Sequence, residues 1–141
     1  MDVELTEAEL SLKTEIDNFY QQQGYHSNWS ETERAFVCLN RGKVIGSVKV
    51  ELIHSVTILR GMYVDSSFQR QGIGSRLLKL IEPVLNEKTA YCMPLTEAAE
   101  FYKQIGFREI AGCEYPAFLQ QRCEKYRDAG YQIKTMIREQ R

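Results

Sequence analysis

Hydrophobic positions recur at helical spacing in the first segment of the chain, which predicts an N-terminal helix. Thr6 and Glu9 form a capping-box pattern, and this pattern places the start of the helix at Thr6. Gly24 follows the last apolar position, and glycine commonly ends helices because it accepts the left-handed conformation. The apolar stripe of this predicted helix consists of Leu12, Ile16, Phe19 and Tyr20.

The next third of the chain alternates between apolar and polar residues, a pattern typical of strands. Short turns separate the runs, so they predict an antiparallel meander. The three predicted strands cover 34–39, 44–52 and 56–64. Gly61 lies inside the third strand, where a glycine often marks a β-bulge. One face of the second strand is expected to carry Val44, Gly46, Val48, Val50 and Leu52.

The second half of the chain returns to helical periodicity, interrupted by shorter apolar runs. The clearest stripe predicts a helix over 73–85, which Pro83 should kink or end. The remaining predicted elements are a strand at 89–93, a helix at 97–105, a strand at 107–110, a helix at 116–129 and a strand at 131–137. One mixed, mostly antiparallel sheet with helices on both faces accounts for this order. The sequence therefore predicts a single domain of the α/β (α+β) class over residues 1–141.

Composition and charge narrow the classes of function. The 141-residue chain has a formal net charge of −1 and no basic cluster, which argues against a nucleic-acid partner. Its apolar runs are shorter than the roughly 20 residues of a membrane-spanning helix, and its acidic start lacks the features of a secretory signal. A cytoplasmic protein without membrane attachment is therefore expected.

The cysteines give no support to a metal site. None of them forms a Cys-x-x-Cys pair, and only two histidines are present to complete a ligand set. The apolar runs around Cys38 and Cys92 instead predict small buried side chains. Reduced thiols are expected for all four cysteines, and no metal cofactor is predicted.

A loop with two glycines is the most informative feature of the sequence. An apolar strand ends at Val64, a polar loop follows, and Gly72 and Gly74 open an amphipathic helix. The first turn of a helix has unpaired backbone amides, which together with the helix dipole suit a phosphate group. The glycines are expected to let phosphate approach these amides, with Arg70 or Ser75 adding side-chain contacts. A tight turn without a ligand is the alternative reading.

Two segments at this spacing resemble a known family. Gln69-x-x-Gly72-x-Gly74 between a strand and a helix is similar to motif A of the GNAT N-acetyltransferases. The Phe-Tyr-x-x-x-Gly-Phe run at 101–107 is similar to their motif B. Nearly the whole chain can be aligned with the order of elements in this family. The resemblance implies transfer of an acetyl group from acetyl-CoA to a primary amine of a small molecule or peptide, by direct attack in a ternary complex.

The resemblance also implies residue roles. Tyr102 matches the tyrosine that protonates the leaving sulfur, although it also lies on an apolar stripe where it would pack against Phe107. Leu95 stands where family members often have a cofactor-contacting Asn, which leaves contacts from that loop open. The residues implied to bind the pantetheine arm are Met62, Tyr63 and Val64. Those implied to bind the pyrophosphate are Gln69, Arg70, Gln71, Gly72, Ile73, Gly74 and Ser75.

The sequence does not decide the identity of the general base or of the acceptor substrate. Glu51, His54 or a water relay are the candidates for removing a proton from the amine. The segments 25–29 and 114–115 are candidates for reading the substrate, and their aromatic and acidic residues suit a cationic amine or simple surface packing. The alternative function is an acyl-CoA-binding sensor or interaction module without turnover. The oligomeric state is not fixed, and a homodimer is one option.

Overall fold

The computed structural model describes residues 2–141 and contains seven strands and four α-helices. The strands are β1 (Val3–Glu7), β2 (Glu33–Asn40), β3 (Lys43–Ile53), β4 (Val56–Val64), β5 (Ala90–Cys92), β6 (Arg108–Glu109) and β7 (Met136–Arg138). The helices are α1 (Lys13–Gln22), α2 (Ile73–Leu85), α3 (Ala99–Lys103) and α4 (Ala117–Asp128). Short 3₁₀ turns cover Leu10–Leu12, Ser66–Phe68, Thr96–Ala98 and Gly112–Glu114.

All seven strands belong to one sheet in the order β1-β2-β3-β4-β5-β7-β6. Every neighbouring pair is antiparallel except β4 and β5, which are parallel. The core residues of α2 and α3 pack on one face, whereas those of α1 and α4 pack on the other. The predicted α/β class, the antiparallel meander and the mixed sheet with helices on both faces are confirmed.

The prediction for the N-terminus was wrong. Thr6 lies in β1 opposite Val37 rather than at a helix cap, and its hydroxyl donates to the neighbouring Glu7 carbonyl. The first α-helix begins only at Lys13, after a 3₁₀ turn. Pairing with the edge of β2 satisfies the backbone of the first residues, a tertiary effect that local capping patterns do not report. The predicted end of α1 is confirmed, because Gly24 has φ 79°.

A bulge in β3 corrects the expected face of that strand. Cys38 of β2 faces Gly46, but the next residue Leu39 faces Val44, so β3 has one extra residue there. Val44 therefore packs beneath α1, whereas Val48 packs beneath α2. Both faces of β3 are buried because helices cover the sheet on both sides, and clean apolar–polar alternation is not required.

The second half of the chain follows the prediction with shorter elements. α2 continues past Pro83 and ends two residues later, at Leu85. It packs closely on β3, because a Cβ added at Gly46 would lie only 3.1 Å from Ile73 Cγ2. The last strand is limited to Met136–Arg138, and the residues before it form an isolated bridge between Ile133 and Leu95.

The cysteines are unpaired in the fold. Cys38, Cys92 and Cys123 are buried and Cys113 is exposed, so the prediction of buried side chains at Cys38 and Cys92 is confirmed. Among residues 2–141 no group of three His, Cys, Asp or Glu side chains is arranged to hold a metal ion. None of the helices in this range has the length and apolar character needed to cross a bilayer.

Candidate active site

The central feature of the site is a split in the sheet between β4 and β5. The two strands pair only at Thr57–Ala90 and Ile58–Tyr91, and they diverge beyond these residues. From Leu59 onward, this edge of β4 is covered by no other strand of residues 2–141. Amide and carbonyl groups at such an edge are available to pair with an extended ligand, as they would with another strand.

Gly61 forms a bulge at this split. The register between β3 and β4 shifts by one residue here, and Gly61 has φ 62°. A Cβ at this position would lie 3.2 Å from the Tyr20 hydroxyl oxygen. That hydroxyl donates to the Gly61 carbonyl oxygen at 2.8 Å, so α1 holds the bulge in place. The predicted bulge at Gly61 is confirmed.

A cavity of ≈ 470 Å³ opens in the split, a size typical of small-molecule sites. We call it the acceptor cavity, after the acceptor amine that the sequence resemblance implies. Its wall combines β4, the segment after β5, the loop after α1 and the end of α4. Most of its lining is aromatic or apolar, and its tyrosines are Tyr25, Tyr63, Tyr102, Tyr126 and Tyr131. Arg60 and His26 provide the basic side chains.

The loop between β4 and α2 presents unpaired backbone amides beside this cavity. α2 begins at Ile73, and Gly72 caps it with φ 79°. The amides of residues 72–75 donate to no carbonyl oxygen within residues 2–141. Together with the positive end of the helix dipole, they form an anion site suited to phosphate.

Side-chain hydrogen bonds fix the shape of this loop. The Asp65 carboxylate accepts from the Ser67 amide at 2.9 Å, and Gln69 Nε2 donates to the Val64 carbonyl at 3.0 Å. Arg70 has φ 64°, a left-handed conformation that costs a non-glycine residue about 1–2 kcal/mol. Such strain is commonly stored at ligand-binding loops.

The two glycines of the loop have different physical roles. Gly72 has open space around the position of a Cβ, but its φ of 79° disfavours any other residue. Gly74 has an ordinary helical conformation, and a Cβ there would lie 3.0 Å from the ring of Phe101. Gly74 therefore also permits close packing of α2 on α3, and its predicted role in phosphate approach stays a prediction.

A second cavity of ≈ 550 Å³ follows the glycine loop. We call it the cofactor groove, after the coenzyme that the sequence resemblance implies. Met62 and Ala98 line both cavities, so the groove and the acceptor cavity adjoin. The predicted cofactor-binding residues that line the groove are Met62, Val64, Gln69, Arg70, Gly72, Ile73, Gly74 and Ser75. Tyr63 instead lines the acceptor cavity, and Gln71 lines neither.

Tyr102 lines the acceptor cavity, and the neighbouring Phe101 lines the cofactor groove. Tyr102 packs its ring edge-on against Phe101 and Phe107. Its hydroxyl makes no hydrogen bond with residues 2–141. The hydroxyl oxygen is nevertheless accessible to solvent, so it opens toward the cavity. Burial raises the pKa of Tyr102 well above its usual value near 10, which keeps the phenol protonated.

The structure places both predicted base candidates outside the acceptor cavity. Glu51 is buried and accepts two hydrogen bonds from Arg122, at 2.6 and 3.1 Å. Burial acts to raise its pKa, but the Arg122 hydrogen bonds and neighbouring cations outweigh this and leave the pKa below its usual value. His54 occupies the β3–β4 turn with φ 50° and packs edge-on against Phe118.

Only part of the two predicted substrate-reading segments lines the acceptor cavity. Tyr25 and His26 line the acceptor cavity, but the Trp29 indole is used to donate to the Glu33 carbonyl at 2.8 Å. Tyr115 is buried and bonded to backbone groups of Cys92 and Met136, a structural role. The C-terminal contribution comes instead from Tyr126 and Tyr131, which sequence reasoning missed. The clustering of tyrosine in 115–131 was the available signal.

Comparison with known proteins agrees with this geometry. A family model described as an acetyltransferase (GNAT) domain matches residues 31–109. A search of curated proteins finds no match to the chain. A GNAT acetyltransferase from Streptococcus pneumoniae is structurally similar, with a TM-score of 0.74 and 13% identity over 99% of this chain and 100% of that one.

Two further solved structures have the same fold. The ribosomal-protein-S18-alanine N-acetyltransferase from Escherichia coli superposes with a TM-score of 0.71 and 19% identity, covering 98% of this chain and 94% of that one. An aminoglycoside 6′-N-acetyltransferase complexed with coenzyme A gives a TM-score of 0.69 at 12% identity, with 96% of both chains covered. At these identities the similarity establishes the fold.

Proposed function

Because this chain belongs to the GNAT acetyltransferase family, we propose that it transfers an acetyl group from acetyl-CoA to a primary amine by direct attack in a ternary complex. One observation carries the proposal. A loop of unpaired amides, an uncovered strand edge and the free hydroxyl of Tyr102 lie along two adjoining cavities. Sites of this kind can hold a diphosphate at one end and a reacting group at the other.

The described residues fit coenzyme A in character. The amides of residues 72–75 and the unpaired side chain of Arg70 would hold its diphosphate. The uncovered edge of β4 at Met62 and Val64 would pair with the amides of the pantetheine arm. Leu95 lines the acceptor cavity and supplies only an apolar surface where family members often have an amide.

In the proposed reaction, the amine nitrogen forms a bond to the acetyl carbon while the carbon–sulfur bond breaks. Tyr102 gives its proton to the departing sulfur. The amine loses one proton to water in the cavity, where His26 is the one lining imidazole among residues 2–141, and a proton from water then restores the Tyr102 phenol. Since no carboxylate lines the cavity among residues 2–141, a strongly basic amine has no acid partner there. An amine of pKa about 10.4 would need about 4.6 kcal/mol to be neutral at pH 7, so less basic amines should react better.

The role of Tyr102 is tested by Tyr102→Phe. We expect coenzyme A affinity to be unchanged and turnover to fall at least tenfold, because the phenyl ring keeps the packing but has no proton to give. Turnover is measured as release of free thiol from acetyl-CoA with a panel of amines. Tyr91→Phe is the matched control, since Tyr91 is equally buried, its hydroxyl makes no hydrogen bond with residues 2–141 and it lines neither cavity.

The outcomes separate the candidate functions. Unchanged turnover in Tyr102→Phe would remove the tyrosine from the mechanism. Tight binding of acetyl-CoA by the unmodified chain without thiol release for any amine would favour the sensor or interaction module. Absence of binding at millimolar coenzyme A would contradict both.

A further inference from the structure

The charges around the acceptor cavity point to the chemistry of its second substrate. Arg60 is the one side chain of permanent charge that lines the cavity within residues 2–141. No Asp or Glu of residues 2–141 lines it, so a polycationic amine would find no carboxylate partner there. Its other polar groups are tyrosine hydroxyls and one imidazole, which can donate hydrogen bonds to an anion.

Behind the cavity wall, Arg60 belongs to a partly buried charge cluster with an excess of cations. Three basic side chains face two carboxylates. The members of this cluster are Glu33, Lys49, Glu51, Arg60 and Arg122. With all five ionised, the cluster carries one uncompensated positive charge. An uncompensated charge away from bulk water is costly, and an anion would relieve that cost.

The contacts within the cluster show which side chain carries the uncompensated positive charge. Arg122 binds Glu51 through both terminal nitrogens at 2.6 and 3.1 Å. Lys49 lies 3.4 Å from Glu33 and also donates to the loop carbonyls of Ser27 and Asn28. The charges of Lys49 and Arg122 are therefore each paired with a carboxylate of the protein.

Arg60 is held less firmly than its neighbours. It reaches both carboxylates through a single nitrogen, Nη1, at 3.4 Å from Glu33 and 3.6 Å from Glu51. Its Nε and Nη2 contact no acceptor within residues 2–141, and both nitrogens are accessible to solvent. A guanidinium with two free donors on a cavity wall matches the two oxygens of a carboxylate.

We propose that the acceptor amine carries a carboxylate, as amino acids do, and that Arg60 anchors this carboxylate beside Tyr25 and Tyr126. This inference rests on the proposed function for the role of the cavity and adds the substrate class. The two tyrosines line the same cavity, and their hydroxyls are able to complete the hydrogen bonding of the bound carboxylate. The α-amines of amino acids and peptides are also less basic than the amine of lysine, so the penalty for a neutral amine is smaller for an acceptor of this class.

Binding of the acetylated product tests the anchor without requiring turnover. Wild-type protein saturated with coenzyme A is titrated calorimetrically with N-acetylglycine, N-acetylleucine and N-acetylphenylalanine, and with the primary amide of each. We expect at least one acid to bind at least tenfold more tightly than its amide, which corresponds to about 1.4 kcal/mol. In Arg60→Gln this preference should fall below threefold, while Arg60→Lys should retain part of it. Equal binding of every acid and amide, or no binding of any, overturns the proposal.

Controls distinguish failure of the anchor from failure of the fold or of catalysis. Arg108→Gln removes an exposed arginine paired with Glu139 and lining neither cavity, so it should keep the preference for the acid. Coenzyme A affinity and the unfolding midpoint verify that Arg60→Gln remains folded. Turnover of amines without preference for carboxylates would leave the transferase function intact and refute the anchor. Selective acid binding without any turnover would support the anchor and contradict the transferase.

Discussion

Gly72→Ala separates the two contributions that a left-handed glycine makes at an anion-binding loop. Gly72 has φ 79°, and an added Cβ would meet no atom within 4 Å. The substitution therefore lowers the free energy of unfolding only by the cost of a left-handed alanine, about 1–2 kcal/mol. Gly72 lines the cofactor groove beside the unpaired amides, so the added methyl group is expected to hinder the approach of a ligand to them.

Gly42→Ala provides a control with nearly identical backbone geometry. Gly42 has φ 78° with nothing within 4 Å of a Cβ, and it lines neither cavity. Both variants should lose about 1–2 kcal/mol of unfolding free energy in urea titrations. Any difference between them in ligand binding must then come from the groove.

Calorimetry with coenzyme A measures that difference. A hydrogen bond to a charged oxygen contributes about 1.5–3 kcal/mol, so loss of one amide contact in Gly72→Ala should raise the dissociation constant at least tenfold. Gly42→Ala should change it less than threefold. Similar affinities in the two variants would refute the assignment of residues 72–75 as the diphosphate site. A free energy of unfolding in Gly72→Ala equal to that of wild type would refute the predicted cost of a left-handed alanine.

Two further predictions concern pH. Burial raises the pKa of Tyr102 above its usual value near 10. We therefore expect kcat/KM to rise with pH as the amine loses its proton, and not to decline below pH about 10. A decline in kcat/KM near pH 8 that disappears in Tyr102→Phe would contradict this. Arg122→Met should lower the free energy of unfolding by about 1–3 kcal/mol at pH 7. The pKa of Glu51 is lowered in the fold, so its contribution is present above the unfolded pKa and is lost as pH falls through the folded pKa. The difference from wild type should therefore shrink in urea titrations at pH 3, and an equal difference at both pH values would contradict the pairing with Glu51.

The sequence by itself determined the features that depend on local chemistry. The strand at 56–64, the helix at 73–85 and the bulge at Gly61 follow from side-chain period and glycine conformation, and each is present where predicted. The glycine loop with its unpaired amides also follows from local rules, because the first turn of any helix lacks partners for its amides.

Only the tertiary structure decided the features that depend on distant partners. Thr6 joined a strand rather than a helix cap because the edge of β2 was available to pair with it. Glu51 was buried because Arg122, 71 positions further along the chain, packs against it. The acceptor cavity likewise draws Arg60 and Tyr126 from separate elements, and their neighbours are set by the split between β4 and β5. Local periodicity contains no information about which remote charges meet, so the chemistry of the cavity became visible only in the folded chain.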